Sequence, residues 1–160
     1  MTQRTLVDNL LSPTLAEFKK HIRLTDSGLD DDLMLKLRAA IYASEHEIGQ
    51  VIAVSDFVLT TPFNLSVILP EVPLISVASV EVDGEGVTGY TVDGNTVILP
   101  NGTTGDSVVV TYRAGMSDVP YDIKAAILLH ATALFNNPED SVETLTKASH
   151  NLLRPYRLYR

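Results

Sequence analysis

The chain has 160 residues, no cysteine, and a formal charge of −8 from 20 acids against 12 bases. That length fits one domain, or one domain with a small inserted module, and buries enough surface to fold without covalent staples. The missing cysteines exclude disulfides, thiolate metal sites and a cysteine nucleophile. The chain shows neither an N-terminal apolar h-region nor a membrane-length apolar run, which argues against signal-peptide secretion and against a membrane partner.

Met1 to Leu11 has no clear period and reads as a mobile or partner-dependent arm. Thr14-Leu15-Ala16-Glu17 has the form of a capping box, a hydroxyl at the cap and a carboxylate three residues on. It opens a short helix to Ile22 with Leu15, Phe18 and Ile22 on one side. A second helix starts at Asp30-Asp31-Asp32, whose charges suit the unpaired N–H groups of a first turn. Leu33, Leu37, Ala40, Ile41, Ser44 and Ile48 then recur at helical spacing, and Gly49 is placed to take the left-handed position after the last turn.

After Gln50 the period changes from 3.6 to 2. Phe57–Thr60, Ser66–Leu69, Ile75–Val82, Tyr90–Val92, Thr96–Leu99 and Ser107–Tyr112 read as strands rich in Val, Ile, Thr and Tyr. Asp83-Gly84, Asp93-Gly94-Asn95 and Asn101-Gly102 supply turn chemistry between them, and Asp93-Gly94 predicts a hairpin. This section holds no Lys, Arg or His between Val51 and Tyr112 but seven acids: Asp56, Glu71, Glu81, Asp83, Glu85, Asp93 and Asp106. Such a surface repels phosphate, which argues against a nucleic-acid grip there. A solvated acidic face that aids solubility is the plainer reading.

Val119 to Phe135 is the most apolar stretch. Between Ala125 and Phe135 only His130 and Thr132 are not apolar, and a helix apolar on most faces must be surrounded. Ile123, Ala126, Ile127, His130 and Leu134 are its candidate core or oligomer-contact residues. Asp118 is the expected N-cap, Pro120 suits the first turn, and Asn136, Asn137 and Pro138 stop the helix. Ser141 to Asn151 reads as a weak fourth helix capped by Ser141. The tail, Leu152, Leu153, Arg154, Pro155, Tyr156, Arg157, Leu158, Tyr159 and Arg160, mixes apolar and aromatic residues with arginine, the types favoured at interface anchors. Docking to a partner protein is preferred for it over a disordered end or base stacking. The whole reads as an α+β fold: three to four helices (residues 12–50 and 117–151), an inserted antiparallel β module (51–116) and a docking tail (152–160) in a single domain.

No catalytic constellation emerges. His21, His46, His130 and His150 lack partners at ligand or catalytic spacing, and His130 reads as a satisfied core or interface histidine. Asp26-Ser27-Gly28 with Asp30, Asp31 and Asp32 departs from calcium-loop spacing. Phosphate-binding glycine motifs and a nucleophile elbow are absent, so no enzyme activity, metal or cofactor is expected.

The ordered set of local motifs resembles the head–tail connector (adaptor, head-completion) proteins of tailed bacteriophages and prophages. KHIRL (Lys20 to Leu24) followed by acids and LxxxLRAA (Leu33 to Ala40) is similar to that family's opening. LPEVPLISVASV (Leu69 to Val80), VTYRAG (Val110 to Gly115), VPYDIKAAILL (Val119 to Leu129) and LLRPYR (Leu152 to Arg157) follow in the family's order. Departures fall at Gln50, often basic there, and at Phe135-Asn136-Asn137-Pro138, where the family commonly has a tyrosine and an arginine–glutamate pair. The resemblance implies a structural virion protein at the head–tail interface, assembled in a bacterial host cytoplasm. It implies a ring of twelve copies that docks the portal protein through Leu152–Arg160. The ring would extend the channel through which DNA passes without sequence-specific binding, and would meet a downstream head-completion or tail protein. A stand-alone β-containing ligand-binding module and another tail-associated protein, a terminator or stopper, stay open as alternatives. Few aromatics in the β section (Phe57, Phe63, Tyr90, Tyr112) disfavour a glycan-binding module.

Overall fold

The computed structural model describes residues 1–7, 10–137 and 145–158. It has an α+β fold whose chain divides into two compact units, Leu11–Ile52 with Asp118–Arg160, and Met1–Leu10 with Ala53–Ser117.

The first unit is helical. Helix α1 (Leu15–His21) starts at Thr14, whose hydroxyl accepts from Glu17 N at 3.2 Å while the Glu17 carboxylate accepts from Thr14 N at 2.7 Å. This is the reciprocal cap that the sequence spelled out. Helix α2 (Asp30–Ile48) buries Leu33, Leu37, Ala40, Ile41, Ser44 and Ile48, and Gly49 follows it in the left-handed region with φ +70°. Glu45 is also buried on α2, and its Oε1 accepts the Ile52 N–H at 2.8 Å, satisfying the chain just past the helix. Helix α3 (Tyr121–Asn136) begins one residue after Pro120, which takes the cap position in place of Asp118. Pro120 is extended at ψ 146° and its carbonyl accepts the Lys124 N–H at 3.0 Å, so the backbone itself supplies the start. Asn137 ends α3, its amide and backbone N–H both donating to Ala133 O.

The fourth helix, α4 (Lys147–Leu153), is shorter and later than the pattern suggested. Thr146 caps it through Ser149 N at 3.2 Å, and Ser141 lies outside the described residues, as does Pro138. Ser149 is buried and its hydroxyl donates to Ala126 O of α3 at 2.8 Å. A single 3₁₀ turn, Arg154–Tyr156, continues from α4.

The second unit is all β. Its larger sheet has the order β1-β2-β8-β4-β5, with β1 (Thr2–Leu6), β2 (Ser55–Pro62), β4 (Leu74–Val82), β5 (Glu85–Gly86) and β8 (Ser107–Ala114), all antiparallel. The smaller sheet is β3 (Ser66–Ile68), β7 (Thr96–Ile98) and β6 (Thr91–Asp93), with β6 and β7 joined at Gly94-Asn95 as the expected hairpin. Central strand β8 alternates without a fault: Val108, Val110, Tyr112 and Ala114 are buried and the residues between are not. Phe57 of β2 lies opposite Tyr112 and stacks on it with ring centroids 5.5 Å apart. Val67, Leu69, Val97 and Leu99 are the buried residues of the smaller sheet and its flanks.

One expectation fails here. The N-terminal segment is not an arm, because Thr2–Leu6 pairs along its whole length with Leu59–Ser55. Met1 adds to that edge, its ammonium donating to Thr60 O at 2.7 Å. Thr-Gln-Arg-Thr-Leu carries too little apolar signal to read as a strand alone; its place is set by the open edge of β2 and by Arg4, stacked 5.6 Å over Phe57.

Candidate assembly interface

Helix α3 and the tail carry the residues singled out in the sequence. Ile123, Ala126, Ile127 and His130 are buried in the helical unit, whereas Leu134 is half-exposed. The unit covers only one side of α3. Tyr121 is 87% exposed, Leu129 is 37% exposed, Ala125 is exposed and Leu128 half-exposed. The expectation of a helix surrounded on most faces therefore holds for the core side only, and an apolar side is left facing solvent.

His130 is 4% exposed, and its Nδ1 has no hydrogen-bond partner. Burial holds its pKa below the usual histidine value, so the ring is neutral near pH 7. Among the described residues no group of three His, Asp or Glu side chains could hold a metal ion.

The tail is folded rather than free. Leu153 is fully buried, Leu152, Tyr156 and Arg157 are half-buried, and Arg154, Pro155 and Leu158 are exposed; Tyr159 and Arg160 lie outside the described residues. It lies along the end of α2. Leu158 N donates to Ile48 O at 2.8 Å and Gln50 Nε2 donates to Tyr156 O at 2.7 Å. Glu47 of α2 forms an ion pair with Arg157 and lies 3.2 Å from His150 Nε2. The Tyr156 hydroxyl donates to Asp122 Oδ2 at 3.4 Å. Spacing in the sequence could not bring Glu47, His150 and Arg157 together, since they meet only when α4 packs back on α2.

In the β unit the acids are not equivalent. Asp56 is paired with Arg113 by two parallel bonds of 2.7 and 3.0 Å, which hold its carboxyl below the ordinary range. Asp83 sits at φ +49° in the Asp-Gly turn between β4 and β5. Its carboxylate accepts from Asp106 N and Ser107 N and is likewise held low by those bonds. Glu85, Asp93 and Asp106 are exposed and Glu81 is half-exposed. Burial, with the charge of Glu71, pushes the Tyr112 hydroxyl up to about 12, so it does not ionise at ordinary pH.

The fold has close counterparts in solved particles. A chain in the neck of an empty gene transfer agent particle, computed with C6 symmetry, superposes with a TM-score of 0.78 at 22% identity, over 100% of this chain and 96% of that one. The chain shares its fold with a gene transfer agent neck component. A chain of the native gene transfer agent virion gives a TM-score of 0.77 at 23% identity, and one in the native neck computed with C12 symmetry gives 0.77 at 22%, each with the same coverage. No protein-family model and no curated protein matches the sequence. The likeness to the neck chains runs through both units, so the head–tail connector resemblance drawn from scattered motifs is matched by the fold of the whole chain.

Proposed function

We propose that this protein is a non-enzymatic structural component of the head–tail neck of a phage-like particle. One observation carries the reading: a neck chain matches this one from end to end, with a TM-score of 0.78 and no large segment left over on either side. The symmetric necks in which those counterparts sit, C6 and C12, support self-association into a ring of twelve copies. The apolar outward side of α3 agrees, because a lone subunit gains nothing by wetting it.

The ring docks the portal protein through Leu152–Arg160. Arg154, Pro155 and Leu158 offer the contact surface, while Leu153 anchors the segment. The opposite side of the ring meets a downstream head-completion or tail protein, and DNA passes through the channel unbound. The acids of the β unit favour that passage by repelling phosphate. Imaging by cryo-electron microscopy of particles assembled with a tagged copy of this chain tests the assignment. Density for the tag is expected in a ring at the unique vertex; tagged protein found elsewhere in the particle, or absent from it, overturns the reading. Charge reversal at Glu81, Asp83 and Glu85 to lysine is expected to impair DNA retention or ejection, and unchanged DNA handling refutes the role given to those acids.

A further inference from the structure

Helices α2 and α3 each carry a second stripe opposite the one they bury. At 100° per residue, the buried set of α2 (Leu33, Leu37, Ala40, Ile41, Ser44, Ile48) centres on one side, and Leu35, Ala39, Tyr42 and His46 fall on the other. All four of these are exposed, Leu35 by 66% and Tyr42 by 40%. On α3 the buried set (Ile123, Ala126, Ile127, His130, Ala131) is opposed by Tyr121, Ala125, Leu128 and Thr132. Both outward sets have the spacing 4-3-4, the spacing of helices that interlock side by side. Because α2 and α3 pack against each other within the unit, these stripes lie on different sides of it.

The α3 stripe borders a groove. Glu17 and Lys20 of α1 and Tyr121, Lys124, Ala125 and Leu128 of α3 line about 380 Å³ of open space, the small Ala125 among the larger side chains. His21 also lines it; Lys124 lies 4.0 Å from Glu17, which leaves Lys20 as the lysine of the rim with no glutamate set against it there among the described residues. On α2, Leu35 is the most exposed large apolar side chain after Tyr121 among the described residues of the helical unit, and the exposed Asp31 precedes it by one turn. A protruding leucine beside an acid faces one way, and an apolar groove with a basic rim faces another.

We infer that the outward stripe of α2 in one copy docks on the α1–α3 groove of a second copy, with Leu35 entering beside Ala125 and Asp31 lying near Lys20. Such a contact joins unlike surfaces, so each copy donates one side and accepts on the other, the head-to-tail kind of contact from which a ring is built. This rests on the ring-forming reading above and assigns its interface.

The absence of native cysteine permits a direct test by disulfide trapping of the full chain at about millimolar concentration. Leu35→Cys and Ala125→Cys, made singly and mixed, are expected to give a cross-linked dimer, while neither alone does. The double variant is expected to give a ladder of multimers. Leu35→Glu, at an exposed position that leaves the fold intact by circular dichroism, is expected to weaken self-association at least about tenfold in sedimentation. The interface is overturned if the mixed pair cross-links no faster than Leu35→Cys with Thr104→Cys, an exposed position of the β unit, or if either single variant cross-links with itself as readily. Assemblies that form without the Leu35–Ala125 product overturn this interface and leave the neck assignment standing. Trapped multimers from a chain missing from particle necks do the reverse.

Discussion

Gly115 offers a quantitative test of how the β unit is put together. Its φ is +135°, a region essentially confined to glycine, and its N–H donates to Pro73 O at 2.9 Å. A Cβ built there would lie 2.7 Å from Val54 Cα, 2.9 Å from Val54 N and 3.1 Å from Ala53 C. These neighbours are backbone atoms and cannot turn aside as a side chain would. Gly115→Ala therefore incurs about 1–3 kcal/mol of conformational strain and about 1–3 kcal/mol more for the shift that relieves the clash. Gly102→Ala is the control: φ is +94° and nothing lies within 4 Å of its added Cβ, so only the conformational cost applies. For a chain of this length each kcal/mol lowers the melting temperature by about 2–4 °C, so Gly115→Ala should melt on the order of 10 °C lower. Thermal melting and urea unfolding by circular dichroism measure the difference. If Gly115→Ala comes within about 0.5 kcal/mol of Gly102→Ala, the close approach to Val54 has no energetic weight and the reasoning fails.

Three further outcomes follow from the helical unit. The pKa of His130 is depressed in the fold from 6.5, so the unfolded chain takes up a proton first as pH falls; stability should decline from about pH 6.5 down to the folded value. The lowered carboxyls Asp56 and Asp83 act in the same direction only further down, near and below 3.8. His130→Leu should remove the upper part of that decline in urea titrations at pH 7 and pH 5, and an unchanged slope would count against the buried imidazole as its source. Leu153→Ala should cost about 2–5 kcal/mol and expose the Leu158 amide to hydrogen exchange, whereas Arg154→Ala, at an exposed position, should stay within about 0.5 kcal/mol of the parent. Thr14→Ala should cost about 1 kcal/mol by removing the α1 cap, with Thr14→Ser retaining most of it, as read by thermal melting.

The elements were legible where one physical rule was sufficient. A hydroxyl and a carboxylate three apart fixed the start of α1, acids and Gly49 bounded α2, Asp93-Gly94 marked the β6–β7 hairpin, and Asp83-Gly84 marked a turn. The failures have a common form. Thr2–Leu6 and the two-residue strand β5 have no signal of their own and exist because a neighbouring edge needed hydrogen bonds. Asp118 looked like the cap of α3, but the extended backbone at Pro120 already starts that helix. The tail looked unable to fold alone, and it does not have to: Arg157 pairs with Glu47 and Leu158 N–H donates to Ile48 O at the end of α2.

Local pattern thus determined what kind of element each stretch becomes, since propensity, capping and turn geometry act over a few neighbouring residues. The chain also announced an overly apolar α3, but could not say which of its sides would be covered. Burial is a property of surroundings, so only the tertiary structure could decide that Ile123, Ile127 and His130 turn inward. The same holds for Tyr121, Ala125 and Leu128, left outward beside a groove. It likewise brought Glu47 together with His150 and Arg157, which lie roughly a hundred positions further along the chain, a meeting that depends on how two helices pack and on no spacing along the chain.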